Sequence, residues 1–337
     1  MLALLLHAAG KSVGMVERKS PPGKSPLRPI ALSHASRLIL EGAGAWHRLA
    51  PTPIDTIHIS QQGAFGRSCL NAADAGVPAL GYVVEYDVLL AALLNQVEEH
   101  RIPVASGPGD ASLVVHAEGS SSGAEEKDYR QEAIVALVTA RPAARATAWE
   151  RFTPQGPLAL LPLRERYCVV WSMPPEHAQA LCNAPEAEFL RALVGALGAR
   201  AGELTAVGER FRAPLALRVR PSRVGDREAY IGNAAQSLHP VAGQGLNLGL
   251  RDAWDLAQVL RDARDPGEAR VLESFAAARR LDAMATVRVT DFLARAFLGA
   301  NPIAGLMRGF GLTALDICLP ARRFFARRMI FGTSALP

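Results

Sequence analysis

The sequence is short of the residues that mark several easily named protein classes. Its four cysteines are Cys69, Cys168, Cys182 and Cys318. No two stand at C-x-x-C spacing and none has a histidine at ligand spacing, so no metal site is expected and the thiols read as reduced. No apolar run reaches the ~18 residues a spanning helix needs. Lysine occurs only at Lys11, Lys19, Lys24 and Lys127 among 37 basic residues, so the cationic charge is almost all arginine. Those arginines are scattered among 32 acids; a net charge of +5 and a pI near 9.3 therefore do not mark a nucleic-acid surface, and no nucleic-acid partner is expected. Internal repeats are missing as well.

What is present is enough apolar chain, 49% of 337 residues, to bury about two cores. The opening Met1–Gly10 has the apolarity of a signal-peptide core but no basic flank, and it reads as a buried helix ended by Gly10. A short buried strand over 12–17 follows, then a proline-rich loop over 18–30. Spacing of Leu32, Ala35, Leu38 and Ile39 predicts a helix from Ala31 to Trp46. Ile54–Ser60 alternates as a strand, and Asp87–His100 is an amphipathic helix. Strands follow between Gln131 and Arg220, and everything after Pro266 reads helical.

The most informative stretch runs from Tyr230 to Asp252, YIGNAAQSLHPVAGQGLNLGLRD. It reads as a short strand, a loop with Gly232, Gly243 and Gly245, and a helix start. Such glycines let backbone approach a ligand, and free N–H groups at a helix N-terminus favour negative charge. Asn233 and Asn247 add neutral donors and acceptors, while His239 suits a turn or a ring contact better than general-base work, and Asp252 reads as structural. An ordinary strand-to-helix connection with glycine turn chemistry is the other reading of the same residues. The serines at 120–122 lack the G-x-S-x-G context of a nucleophile.

The block GNAAQSLHPVAGQGLNLGLRDAWDLA resembles the second flavin-contacting motif of the aromatic-ring flavoprotein monooxygenases, above all the polyprenylphenol hydroxylases of ubiquinone biosynthesis. A second block, Trp149–Pro162 (WERFTPQGPLALLP), resembles that family's substrate-domain stretch. The resemblance covers most of the chain. It implies an α/β (α+β) fold: a Rossmann-like FAD-binding domain of the hydroxybenzoate-hydroxylase type, interleaved with an antiparallel-sheet substrate domain and followed by a helical tail. The expected divisions are 1–60, 81–126 and 223–265 for FAD, 61–80 and 127–222 for substrate, and 266–337 for the tail.

Carried over, the family pattern sets Gly232 and Asn233 at the ribityl–pyrophosphate part of FAD. It sets Pro240, Gly243, Gln244, Gly245 and Asn247 against the isoalloxazine ring, Glu17 at the adenosine ribose and Arg28 near the cofactor. The implied reaction is NAD(P)H-dependent flavin reduction, O₂ capture and transfer of one oxygen to a prenylated phenol, with the cofactor doing the chemistry; no catalytic side chain is implied. A non-catalytic relative that binds a prenylated aromatic, or scaffolds other ubiquinone-pathway proteins, is the alternative.

Three departures stand out. Counting back from Glu17 puts the G-x-G-x-x-G loop and the first strand before Met1, so either a start upstream or a remnant is expected. Between Pro103 and Ala111 only VASGPGD replaces an antiparallel crossover. Asp87 stands where relatives place an arginine. In the tail, Arg322, Arg323, Arg327 and Arg328 alternate with Phe324, Phe325, Met329 and Ile330. Two readings stay open there: a cytoplasmic protein touching the inner membrane peripherally through this helix, or a helix packing its aromatics on the core.

Overall fold

The computed structural model describes residues 1–16, 28–118, 124–296 and 302–332. Glu17 and the serines at 120–122 lie outside the described residues. The helices are α1 (Leu2–Ala8), α2 (His34–Gly42), α3 (Ala72–Ala75), α4 (Tyr86–Glu99), α5 (Pro175–Asn183), α6 (Glu186–Leu197), α7 (Gln244–Arg261), α8 (Ala269–Ala296), α9 (Pro302–Ile317) and α10 (Leu319–Phe331).

Half of the architecture is a mixed sheet of eight strands. Its longest members, Glu125–Arg141 and Glu203–Val219, pair antiparallel, and the order continues through Arg166–Met173, Pro157–Leu163 and Thr147–Phe152. Alternation decides which side is buried: Ile134, Ala136, Val138 and Ala140 all point to one face, where α5 and α6 cover them with Phe189 and Leu193. The opposite face sets Ala148 and Leu163 against Ile54 and Val83 of a smaller sheet formed by Pro29–Ser33, Gly81–Glu85 and Thr52–Ile54. A third core gathers α1, α2, α4, α7 and α8 around Ile39, Leu40, Leu89, Leu256 and Phe275.

Outside the large sheet the parallel pairings come as two separate pieces. Met15–Val16 pairs with Val104–Ala105, and Val114–His116 pairs with Glu228–Tyr230; no described strand joins them. The link between these pieces, residues 106–113, is as short as the sequence predicts.

Several expectations need correcting. The helix expected from Ala31 begins only at His34, because Pro29–Ser33 pairs with Gly81–Glu85 and the Ser33 hydroxyl then caps α2 by accepting from the Ser36 N–H. Among the described residues of the strand expected over 12–17, only Met15–Val16 is strand, and it is not buried: Val16 is exposed, since one short partner strand covers little of it. Thr56–Gln61 belongs wholly to the large sheet, held by parallel pairing to Thr147–Phe152, so the chain changes layer at Asp55.

The tail packs rather than floats. Ala326 and Ile330 of α10 are buried against Leu70, Ala72 and Leu80, Arg322 pairs with Asp74 at 2.9 Å, and Arg327 donates to the Ala75 carbonyl. Next to it, α9 covers the outer edge strand Arg67–Asn71, where the Cys69 N–H donates to the Asp316 carboxylate at 2.8 Å. Covering this edge removes an open ladder that would otherwise pair with other chains. Replacing Asp316 by alanine therefore should cost about 1–2 kcal/mol and speed exchange of the Cys69 amide at least about tenfold, measured by native-state hydrogen exchange.

Candidate functional site

Glu228–Tyr230 runs parallel to Val114–His116, and the chain leaves the pair through the Ile231 N–H donating to the His116 carbonyl at 2.9 Å. It turns at once at Gly232, whose φ of +54° lies in the left-handed region. A Cβ on Gly249 of α7 would sit 3.1 Å from the Gly232 Cα, so the two glycines let the helix touch the turn. Asn233 is exposed at the tip of that turn. Open strand ends followed by such a turn are where α/β sheets bind their ligands.

The segment then returns to the large sheet through Gln236–Ser237 and enters the loop before α7. His239 is fully buried there: its Nδ1 accepts from the Val241 N–H at 3.1 Å and its ring stands edge-on to Tyr129 at 5.1 Å. Burial pushes its pKa down to about 4, so the ring is neutral, and the bond at Nδ1 assigns its proton to Nε2. The turn-and-ring reading of this histidine fits that geometry. Pro240 opens a short turn, and Gly243 stands at the N-cap of α7 with no side-chain cap and no acid in the first turn of the helix. Gly243 therefore brings no side chain to cap the first N–H groups of α7. A Cβ built on Gly245 meets nothing within 4 Å, so the helix start faces open space.

Asn247 holds this start in place. Its Oδ1 accepts from the Ser33 N–H at 2.8 Å and the Ser36 hydroxyl at 2.7 Å, while its Nδ2 donates to the carbonyls of Ala31 and Gly243. All of its hydrogen-bonding capacity goes to tying α7 to the Pro29–Ser33 strand and α2. Gln244 is buried beside it. Gly232, Asn233, Pro240, Gly243, Gln244, Gly245 and Asn247 thus lie on one loop-and-helix unit. Arg28 stands apart from that unit in sequence, exposed, its guanidinium 5.3 Å from the Tyr86 ring centre and its carbonyl accepting the Tyr86 N–H. Asp87 is an exposed acid in the first turn of α4, where it favours the helix dipole.

Behind the unit lies a buried ion network that no local pattern announces. Asp252 Oδ2 accepts from the Gly232 N–H at 3.1 Å and from the Gln236 amide at 2.8 Å, and Arg223 lies 3.1 Å away. Asp252 Oδ1 accepts from Arg279 of α8, which also donates to Asp255 and Asp282. Arg251 closes the network on Asp282 at 2.9 Å. Burial alone would lower the Arg279 pKa, but Asp252, Asp282 and Asp255 outweigh it and raise it. Burial likewise opposes ionisation of Asp282, yet Arg251 and Arg279 hold its carboxyl below the ordinary range. The structural role read for Asp252 matches this arrangement; Arg279, 27 residues further on, carried no signal. Ser33 was findable, since a serine before a helical run is a capping pattern.

The donor set suits the flavin end of FAD: uncapped N–H groups, no carboxylate at the helix start, and room in front of Gly245 for a flat ring with carbonyl acceptors.

The comparisons agree with this site. A family model described as FAD binding domain matches residues 104–290. Ubiquinone hydroxylase UbiL of Rhodospirillum rubrum is 31% identical, the match covering 99% of this chain and 87% of the relative. The 3-demethoxyubiquinol 3-hydroxylase of Escherichia coli is 29% identical, over 94% and 91%. These alignments run to 378 and 366 residues, longer than the 337 of the chain, so the relatives hold residues inside the matched region that this chain lacks. Among solved structures, p-nitrophenol 4-monooxygenase PnpA from Pseudomonas putida DLL-E4 superposes with a TM-score of 0.73 at 16% identity, covering 96% of this chain and 93% of that one. Klebsiella pneumoniae HpxO complexed with FAD and uric acid gives 0.71, also at 16% identity and over 96% and 93%. At that identity the structures speak for the fold alone.

Two outcomes are expected from these contacts. Arg279→Met removes the cation that buried Asp252 and Asp282 share with Asp255 and should cost about 3–5 kcal/mol in a urea titration. The unfolded chain protonates His239 below about pH 6.5 while the folded chain does so only near 4. Stability therefore falls between those values as pH drops, by up to ~1.4 kcal/mol per pH unit from this group. His34 and His58 are lowered too, chiefly by burial, so the test is a difference. In His239→Asn, which keeps an acceptor for Val241, that slope should shrink when urea midpoints are compared across the range.

Proposed function

Because the chain belongs to the FAD-binding family of flavin-dependent monooxygenases, we propose that it hydroxylates a prenylated phenol of the ubiquinone type, with NAD(P)H and O₂ as co-substrates. The observation that carries this reading is the uncapped start of α7, open in front of Gly245 and lying inside the chain's most family-like block. The names of the relatives, a ubiquinone hydroxylase and a demethoxyubiquinol hydroxylase, support the substrate class.

In this proposal the Gly232–Asn233 turn meets the ribityl–pyrophosphate part of FAD. The 240–247 segment faces the isoalloxazine ring, with Gly243, Gln244 and Gly245 offering backbone and Pro240 and Asn247 fixing its path. Glu17 serves the adenosine ribose, and Arg28 stands near the cofactor. The large sheet carries the substrate domain and α7 with its strands the cofactor domain. FAD, held by the Gly232–Asn233 turn and the 240–247 segment, would supply the redox chemistry of a hydroxylation that consumes NAD(P)H and O₂ and releases water. The residues of the chain position and exclude. Phe152, Val241, Ala294 and Leu312 form a buried apolar cluster at the loop, which suits exclusion of water from a ring held beside it. His239, neutral and buried behind Pro240, keeps charge out of the same place. Hydroxylation of an electron-rich phenol asks no further acid or base of the protein.

The test is product analysis: chain, FAD, NAD(P)H and a short-chain prenylated phenol in air should yield a phenol heavier by one oxygen, and none without FAD. Gly245→Val should weaken FAD binding at least about tenfold by filling the open space, while the melting temperature of the FAD-free chain stays close to the parent's. Unchanged FAD affinity in that variant would remove the ring from this position.

A further inference from the structure

The helices α9 and α10 carry a surface that the site does not use. On α9 the exposed side chains are Ile303, Leu306, Met307, Phe310, Ala314 and Ile317, a single stripe at helical spacing, continued onto α10 by Phe324. Ile303, Met307, Ile317 and Phe324 are each between 67% and 78% exposed, far more than a core helix of a monomer leaves open. The other side of α9 is committed: Gly305 lies against Ala64 and Gly309 against the Phe65–Gly66 turn, Leu312 is buried, and Asp316 turns inward to the Cys69 N–H.

Charge sorts the same way. From Pro302 to Phe331 the sequence holds Arg308, Arg322, Arg323, Arg327 and Arg328 against one acid, Asp316. That acid faces the protein, Arg322 is spent on Asp74 and Arg327 reaches back to the Ala75 carbonyl, so Arg323 is the exposed charge beside the stripe that has no such tie to the protein among the described contacts. No single described helix is long and apolar enough to cross a membrane, and α9 and α10 are bent by 96° from one another. An apolar stripe rimmed only by cations and anchored along its back suits a surface it lies on rather than one it crosses.

We propose that the outer stripe of α9, with Phe324 and Arg323 of α10, docks the protein in the plane of an anionic lipid bilayer. This moves the contact from the basic helix α10, whose Phe325, Ala326 and Ile330 are packed inward, to the helix before it. The inference deepens the proposed function and rests on it for its purpose, since a substrate with a prenyl chain resides in the bilayer. Its physical basis is the stripe itself.

The experiment is flotation of the full chain, loaded with FAD, on vesicles of phosphatidylcholine with phosphatidylglycerol and on phosphatidylcholine alone. Binding to the mixed vesicles is expected, with release at high salt. The double variant Met307→Ser, Ile317→Ser should lower the bound fraction at least about tenfold, and Arg323→Gln about fivefold. Retained FAD and an unchanged melting temperature keep the variants interpretable as folded. Three results would overturn the proposal: no flotation of the parent chain, flotation of the double variant like the parent, or a dimer by light scattering that the double variant dissolves while neither form floats. Hydroxylation of a soluble phenol is measured in parallel without vesicles. Its failure would count against the proposed function and leave the flotation result standing.

Discussion

The carboxylate of Asp252 is the contact on which the rest of the site depends. Each of its oxygens serves a different part of the molecule: one takes the Gly232 N–H and the Gln236 amide, the other the Arg279 guanidinium. The turn after the parallel strands, the return into the large sheet and the long helix α8 therefore share one anion. A fully buried acid is tolerable only because arginine compensates it, and that arginine is in turn held by Asp255 and Asp282. The helix α7 cannot shift along its axis without breaking this set. The Asn247 clamp on Ser33, Ser36 and Ala31 fixes its other side.

This rigidity has a functional consequence. Helix N-terminal N–H groups act on a ligand only if they are aimed beforehand and not satisfied by the protein's own side chains. Here capping is withheld at Gly243, while the polar side chains that could compete nearby are already engaged: Asn247 by four bonds and His239 Nδ1 by Val241. The same economy explains the neutral His239. A charged imidazole behind Pro240 would have to be desolvated, and the surrounding apolar side chains of Phe152, Val241 and Leu312 do not allow it.

Much of the chemistry was legible in the sequence because it is local. The glycines at 232, 243 and 245 stand within one loop, and turn geometry and helix starts are set by neighbours in the chain. The family blocks lie on that loop and on the Thr147–Leu163 hairpin, which the structure pairs as Phe152 with Pro157. Non-local features were not legible. The Pro29–Ser33 segment reads as the end of a loop and the start of a helix yet becomes a strand, because Gly81–Glu85 offers a ladder to it. Thr56–Gln61 joined the large sheet by pairing with Thr147–Phe152, far along the chain. The ion network has members on α7 and α8 whose spacing follows from packing alone. The basic tail left two readings open for a related reason: alternation of arginine and aromatic residues looks amphipathic whether the aromatics meet lipid or, as Phe325 does in α10, the protein's own core.

Whether the start of α7 and the Gly232 turn form one preorganised cradle for the flavin of FAD is decided by hydrogen exchange. The purified chain is compared with and without FAD, alongside its visible flavin spectrum after desalting. A preorganised cradle gives a yellow protein in which the amides of Gly243 to Asn247, together with those of Gly232 to Ala234, gain protection on FAD addition, while α5 and α6 do not change. A chain that stays colourless, or that binds FAD with protection confined to other elements, would contradict it.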